Sequence, residues 1–247
     1  LLGVSLLVGL HATEPDMILS GDTYADENKL MDIKIVSTYG LTEDDEDVIE
    51  RLPAIESVEG TYSTDVLCKV DDDKRVIHVM ANTDKFNTVT LVDGRLPRNE
   101  KECLVDKAFL ASSNYKIGDK LTFESGSDAE LTDTLTQEEF KIVGCGTSPL
   151  YFSFARGSST IGNGSVSGFV VVDPEAFTLD VFTEIYAMVD GAKEELSFTE
   201  PYEELVNEAI EQIQLIQNVR CEVRRDNLAA EAQLEIDKAR RELNWST

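Results

Sequence analysis

Basic side chains are scarce in this chain. Lysine and arginine number 22 against 48 aspartates and glutamates, a formal net charge of −26 over 247 residues. A surface this acidic repels phosphate backbones and anionic lipid headgroups, which argues against nucleic-acid binding and flat electrostatic docking on a membrane. It keeps a protein soluble and is compatible with a basic partner or a cationic peptide. Histidine is rarer still, with only His11 and His78, and neither has a second ligand at i+4. A zinc site built on histidine spacing is therefore not supported. The cysteines Cys68, Cys103, Cys145 and Cys221 form no CxxC pair, so no zinc knuckle is written in the chain. Each lies in or beside an apolar stretch and reads as a small buried hydrophobe, with disulfide and free-thiol states left open.

Other absences narrow the function further. No Walker A lysine motif occurs, so nucleotide binding through a P-loop is excluded. Gly144-Cys145-Gly146 follows a strand pattern, but Pro149 stands where a third glycine belongs and no helix pattern opens there. The acidic clusters Asp44-Asp45-Glu46-Asp47 and Asp71-Asp72-Asp73 lack EF-hand spacing and its glycine, and read as a helix N-terminus and a solvated turn. Asn163-Gly164-Ser165 and Asn244-Trp245-Ser246 match the short glycosylation pattern, which arises often by chance. With 48 acids some carboxylates lie close in space by chance, so proximity alone defines no glycosidase or protease site. The longest apolar run, LLGVSLLVGL at residues 1–10, is shorter than the ~20 residues that span a bilayer. It has no initiator Met and no basic flank, so it is not an intact signal peptide. It reads as the outer end of a transmembrane helix, or else as a buried N-terminal helix.

What is present is an ordinary globular composition, 42% hydrophobic and 28% charged. Pro15 breaks the chain after the apolar run. Residues 31–37 alternate as a strand. Thr42 caps a helix whose first turn is acidic and whose apolar face is Val48, Ile49 and Leu52. A short segment, 55–60, leads into a hairpin of 62–70 and 75–81. Strand patterns recur at 91–97, 102–105, 120–123, 139–144, 169–174 and 184–189. Asp106 caps a short helix, 116–119 form a turn, 124–138 read as a polar hairpin tip or loop, and 156–168 as a flexible Gly/Ser-rich loop. Leu205, Ala209, Ile213 and Ile216 mark one helix face over 201–217, with Pro201 at its start. Asn218 is expected to end that helix and Val219, Cys221 and Val223 to form a last strand. Leu228, Ala232, Ile236, Ala239 and Leu243 then mark an amphipathic helix, too short as seen for a firm coiled-coil assignment. The element order predicts an α+β fold, a split βαβ unit interrupted by a small β-rich subdomain.

Three stretches resemble the FtsX-like permease family and its MacB-type periplasmic core domain. The opening run with NKLMDIKIVSTYGLTEDD is similar to a first transmembrane helix feeding the first outer strand and helix. VDGRLPRNEKECLVDKAFL, YKIGDKLTF and EFKIVGCGTSP are similar to the family's Gly-Arg-x-Pro turn, the strand and helix after it, its Gly-Asp turn and its Val-Gly strand. GFVVVDPEAF is similar to the strand that closes the insert. Together they cover most of residues 1–180, in order.

The resemblance implies a Porter-like subdomain from residues 30–90 and 183–226, a Sabre-like β-rich subdomain from 91–182, a membrane-derived connector at 1–29 and an amphipathic helix, possible start of a coiled coil, at 227–247. It implies a plasma-membrane permease domain exposed on the extracytoplasmic side. Its partners would be the permease's transmembrane helices, a second permease copy, a separate cytoplasmic ABC ATPase and an outside substrate or partner, with no cofactor and no catalysis. Asp93, Gly94, Arg95, Pro97, Gly118, Asp119 and Gly144 would be turn residues, the first four at the subdomain junction. Two other readings stand beside it. One is an acidic cell-surface binding or adhesion module using the 156–168 loop. The other is a secreted hydrolase, which needs two carboxylates with separated pKa values in one pocket.

Overall fold

A computed structural model describes residues 19–70, 73–151, 156–197 and 199–245. The expected N-terminal helix at 1–10 and His11 lie outside these residues. The described chain opens on a short helix α1 (residues 19–27). It continues β1 (Ile33–Leu41), α2 (Glu43–Glu50), β2 (Ile55–Thr61), β3 (Ser63–Val70), β4 (Asp73–Ala81), β5 (Thr90–Gly94) and β6 (Glu102–Asp106). Then come α3 (Lys107–Ala111), β7 (Lys120–Glu124), β8 (Glu139–Thr147), β9 (Val166–Val172), β10 (Phe182–Val189) and α4 (Glu200–Trp245).

The strands form two sheets. The smaller has the order β1-β10-β2, with β10 antiparallel to both neighbours. β1 and β2 therefore run the same way around an inserted third strand, which is the split βαβ arrangement with α2 as its crossover helix. Ile33, Ile185, Ala187, Val189 and Val58 pack on Ile49 of α2 and on Leu205, Ala209 and Ile213 of α4. Met31, Phe86, Tyr186 and Met188 make a second cluster that includes the 82–89 loop.

The larger sheet has the order β5-β8-β6-β9-β4-β3-β7, and β7 also pairs with β8. That extra pairing closes β8, β6, β9, β4, β3 and β7 into a barrel, with β5 appended on β8. Closure removes the open edges that invite aggregation. The strands show period-two patterning: Val66, Cys68 and Val70, Ile77 and Val79, Cys103 and Val105, Leu121 and Phe123, and Phe140 and Ile142 share one core. The interior is filled by side chains, so it is a packed core and not a channel.

Several expectations are revised. β3 and β4 pair within the barrel, so the sheets divide the chain between Thr61 and Ser63 and not near residue 90. Alternation shows that a strand is half-buried, but not against which sheet. The polar 124–138 segment contains a 3₁₀ turn whose Leu131 and buried neighbour Leu135 reach the barrel core. The Gly/Ser-rich loop is held by a Ser158–Ser165 bridge and by Ser159 Oγ donating to Asp65. Cys68, Cys103 and Cys145 are buried free thiols, whereas Cys221 is free and exposed.

The largest revision concerns Asn218. No helix end and no strand occur there: α4 is continuous over 46 residues, roughly 70 Å at 1.5 Å per residue. A strand at 219–223 would leave one residue to carry the chain from the helix layer down to the sheet, shorter than the usual αβ loop. The alternating Val219 and Val223 are also i and i+4, so a helix accommodates them. Arg220 and Arg224, again i and i+4, bond Asp45 Oδ1 at 2.6 Å and the Tyr39 carbonyl at 3.2 Å, which fixes this turn of helix to α2 and β1. Among the described residues no helix is long and apolar enough to cross a membrane.

Candidate functional site

The junction between the βαβ unit and the barrel holds a buried polar network. It is crossed by two chain passages, Thr61 to Ser63 and the stretch from β9 to β10. At the first, Tyr62 stacks with Phe177 and tilts against Phe182, both with centroids 5.4 Å apart. Beside it Glu184 of β10, 5% exposed, accepts from Ser63 Oγ at 2.8 Å, Tyr186 OH at 2.7 Å and Lys34 Nζ at 2.5 Å. Burial raises the Glu184 carboxyl, but the Lys34, Tyr186 and Ser63 donors outweigh it and hold the group below its ordinary value. Burial and the Glu184 charge push the Tyr186 phenol far up, so it stays a donor. One carboxylate of the small sheet thus ties β1 and β10 together and reaches across the boundary to Ser63 of β3.

Further out the barrel carries a second network. His78 Nδ1 lies 2.7 Å from Asp65 Oδ1, and Asp65 Oδ2 accepts from Ser159 Oγ at 2.6 Å. Burial raises Asp65, but its His78 and Ser159 bonds prevail and lower it. Arg156 donates from Nε to Asp106 Oδ2 at 2.8 Å and sits over the Tyr151 ring, 5.4 Å from the centroid. Asp106, 1% exposed, also caps α3 by accepting from the Ala108 amide. Between these groups and Lys34 lies a cleft of ≈ 600 Å³, lined also by Ser63, Thr64, Ser127 and Thr160. Among the described residues no hydroxyl hydrogen-bonds the second His78 nitrogen, so no Ser-His-Asp relay is assembled. No group of three or more His, Cys, Asp or Glu among these residues is arranged to hold a metal ion.

The sequence-selected turn residues lie elsewhere, within the barrel's own edge. Gly94 has φ +80 and its amide is bonded by Asp93 Oδ1 at 2.8 Å. A Cβ there would sit 2.3 Å from the Val143 carbonyl and 2.7 Å from Gly144 Cα. A Cβ on Gly144 would sit 2.4 Å from the Arg95 carbonyl, so the two glycines let β5 and β8 touch. Arg95 forks onto Glu102 at 2.5 and 2.6 Å, and the Arg98 amide beyond Pro97 bonds the same carboxylate at 3.0 Å. The Arg95 fork holds Glu102 down at about 2. Gly118 has φ +105, and Asp119 Oδ2 accepts from the Lys116 amide at 2.8 Å to close that turn. The junction itself, Lys34, Ser63 and Glu184, was not singled out from sequence. Its signals are weak: a lone acid opening the apolar strand EIYAMV and a lone lysine in IKIV.

Contacts also fix the direction of the unit. Near α1, Asp22 Oδ1 accepts from the Ser197 amide, and Asp32 bonds Tyr202 OH and the Val189 amide, each at 2.8 Å. The incoming chain and the foot of α4 therefore meet at the start of β1. In sequence the barrel joins at the other end of the small sheet, where β2 finishes and β10 begins, but its 82–90 segment runs back along the sheet, with the Asp84 and Lys85 amides on Glu59 and with Asn87 and Thr90 bonded to Met31 and Asn28 beside α1. α4 runs alongside β1 from Tyr202, near Asp32, to Arg224, near Tyr39, and continues beyond it.

No protein-family model and no curated protein matches this chain. The solved structures it is similar to include two. One is the extracellular domain of the noncanonic ABC-type transporter YknZ from Gram-positive bacteria, with 10% identity over 70% of this chain and 85% of that one and a TM-score of 0.41. The other is the periplasmic region of MacB from Actinobacillus actinomycetemcomitans, with 11% identity over 75% of each chain and a TM-score of 0.41.

Proposed function

We propose that this chain is the extracytoplasmic domain of an FtsX-like, MacB-type ABC transporter permease, and that it relays motion instead of catalysing a reaction. The observation that carries the reading is the division into two sheets with their own main cores, a split βαβ unit and a barrel, joined at the Thr61–Ser63 passage and along the 82–90 segment. The ordered motifs from GRLP to GFVVVDP support the family; the geometry supports the relay. The incoming chain is rooted at one end of the βαβ unit, the barrel is tethered in sequence at the other, and the 82–90 segment links the barrel directly back to residues 28–31 at the root. A displacement at α1 passes through three strands to Glu184 and Tyr62, and along α4 to its exposed far half. That half serves as a coiled-coil arm. The driving force comes from ATP turnover in a separate cytoplasmic ATPase, the permease works as a dimer, and the external partner is cationic, matching the −26 charge.

The test places spin labels on both bodies of the full-length permease with its ATPase in nanodiscs, using Glu50→Cys and Asp128→Cys in a Cys221→Ser background. Pulsed dipolar spectroscopy should show the distance distribution shifting between the nucleotide-free and ATP–vanadate states. An identical distribution in both states would overturn the relay.

A further inference from the structure

β1 is an edge strand. Among the described residues it pairs only with β10, at Ile33–Val36 and, after a register shift, at Leu41, so the other side of this nine-residue strand, roughly 30 Å long, has no strand partner. Natural edges of this length are blunted by charge, proline or a bulge pointing outward. This one reads IKIVSTYGL, with Lys34 its single charge, a register shift between Val36 and Leu41, and Val36 and Tyr39 64% and 50% exposed, so the regular stretch Ile33–Val36 is the part left open. Beside it α4 leaves an apolar trough of ≈ 580 Å³, floored by Ile33, Ile35, Ile213 and Ile216.

Topology says what fits there. β1-α2-β2 is one βαβ unit, and β10 with α4 supplies the strand and helix of a second. In the β-α-β-β-α-β arrangement the remaining strand lies against β1, on the edge found open here. All pairings in this sheet are antiparallel, so an added strand would run antiparallel to β1. Charge then selects the sequence. Lys34, Arg220 and Arg224 line the trough; Glu184 already meets Lys34 and Asp45 meets Arg220, which leaves Arg224, bonded to the Tyr39 carbonyl, as the cation there without a carboxylate partner among the described residues. In a chain of net charge −26 this is a local excess of positive charge.

We propose that the trough is a docking site for an extended acidic–apolar peptide segment, which adds to β1 as a fourth, antiparallel strand. Backbone hydrogen bonds supply the pairing, alternate apolar side chains enter between β1 and α4, and a carboxylate among them meets Arg224. This inference does not depend on the transporter reading.

The probe is a fluorescein-labelled peptide, acetyl-Glu-Val-Thr-Ile-Glu-Val-Asp-amide, titrated by anisotropy into the protein, with amide exchange followed by NMR. Saturable binding is expected, and alternate β1 amides should exchange at least tenfold more slowly in the complex. The same peptide with its Ile replaced by Pro should not bind. Arg224→Glu, checked to melt as the wild type does, should weaken binding tenfold or more. Absence of saturable binding, or equal binding of the proline peptide, would overturn the proposal. So would protection of β1 that grows with protein concentration when no peptide is present, since the occupant would then be a second copy.

Discussion

Adding one methyl group at Gly94 tests the β5–β8 contact more sharply than any larger change. The residue sits at φ +80, where an L side chain costs about 1–2 kcal/mol. Its Cβ would also stand 2.3 Å from a carbonyl oxygen and 2.7 Å from a Cα, both backbone atoms of β8 that the strand ladder holds in place. β5 itself is exposed, but the β8 atoms it meets are buried, and overpacking against them costs about 1–3 kcal/mol. Gly94→Ala should therefore destabilise the fold by about 2–5 kcal/mol, and Gly94→Val by more because its branch clashes further. At ~2–4 °C per kcal/mol for a chain of this size, the melting temperature should fall by about 5–20 °C. Gly118→Ala is the matched control. Its φ is +105 but nothing lies within 4 Å of its Cβ, so only the conformational cost of about 1–2 kcal/mol applies. Urea and thermal unfolding by circular dichroism measure both. If Gly94→Ala is no worse than Gly118→Ala, the close approach of β5 and β8 is wrong.

Glu102→Gln should remove a pH-dependent part of the stability. The folded carboxyl titrates at about 2, below its ordinary 4.5, so its contribution is complete above ~pH 4.5 and is lost as pH falls towards 2. The melting-temperature gap between wild type and variant should be constant from pH 7 to 5 and close by pH 2; a gap that ignores pH would refute the ion pair. Arg220→Ala strands the mostly buried Asp45 carboxylate, leaving it only the Thr42 donors, and should cost about 1–3 kcal/mol while speeding amide exchange near Asn218. Unchanged stability and exchange would detach α4 from α2. Thiol titration should find one reactive cysteine, Cys221, in the native protein and four in denaturant. Burial lifts Cys68 to about 11 and Cys103 higher, so early reaction of either would contradict the packed barrel.

Local chemistry was legible in the sequence where it is strong. Thr42 caps α2 through a reciprocal box with Asp45, and Asp106 caps α3, as the residue types imply. Most strands stand where alternation put them. What was not legible was partner choice. Nothing in Val66, Cys68 and Val70 says that β3 closes a barrel instead of joining the sheet that β2 belongs to. At Asn218, a polar residue followed by V-x-C-x-V satisfies both a strand period and an i, i+4 helix stripe. Long-range anchors, Arg220 on Asp45 and Arg224 on Tyr39, decide for the helix, and these pairs are 175 and 185 residues apart. The candidate site was hidden for the same reason: Lys34, Ser63 and Glu184 are unremarkable singly, the first and last meet only when β1 pairs with β10, and Ser63 reaches them only once the two bodies are joined.

The central claim, that this domain sits outside the membrane between the segments of a permease, is tested most directly by reading the coding frame on both sides of it. The account predicts apolar spans of ~20 residues upstream of Leu1 and several downstream of Thr247, with an ATPase gene alongside. A stop codon soon after Thr247, preceded only by a secretion signal, would contradict it and leave an acidic binding module released from the cell.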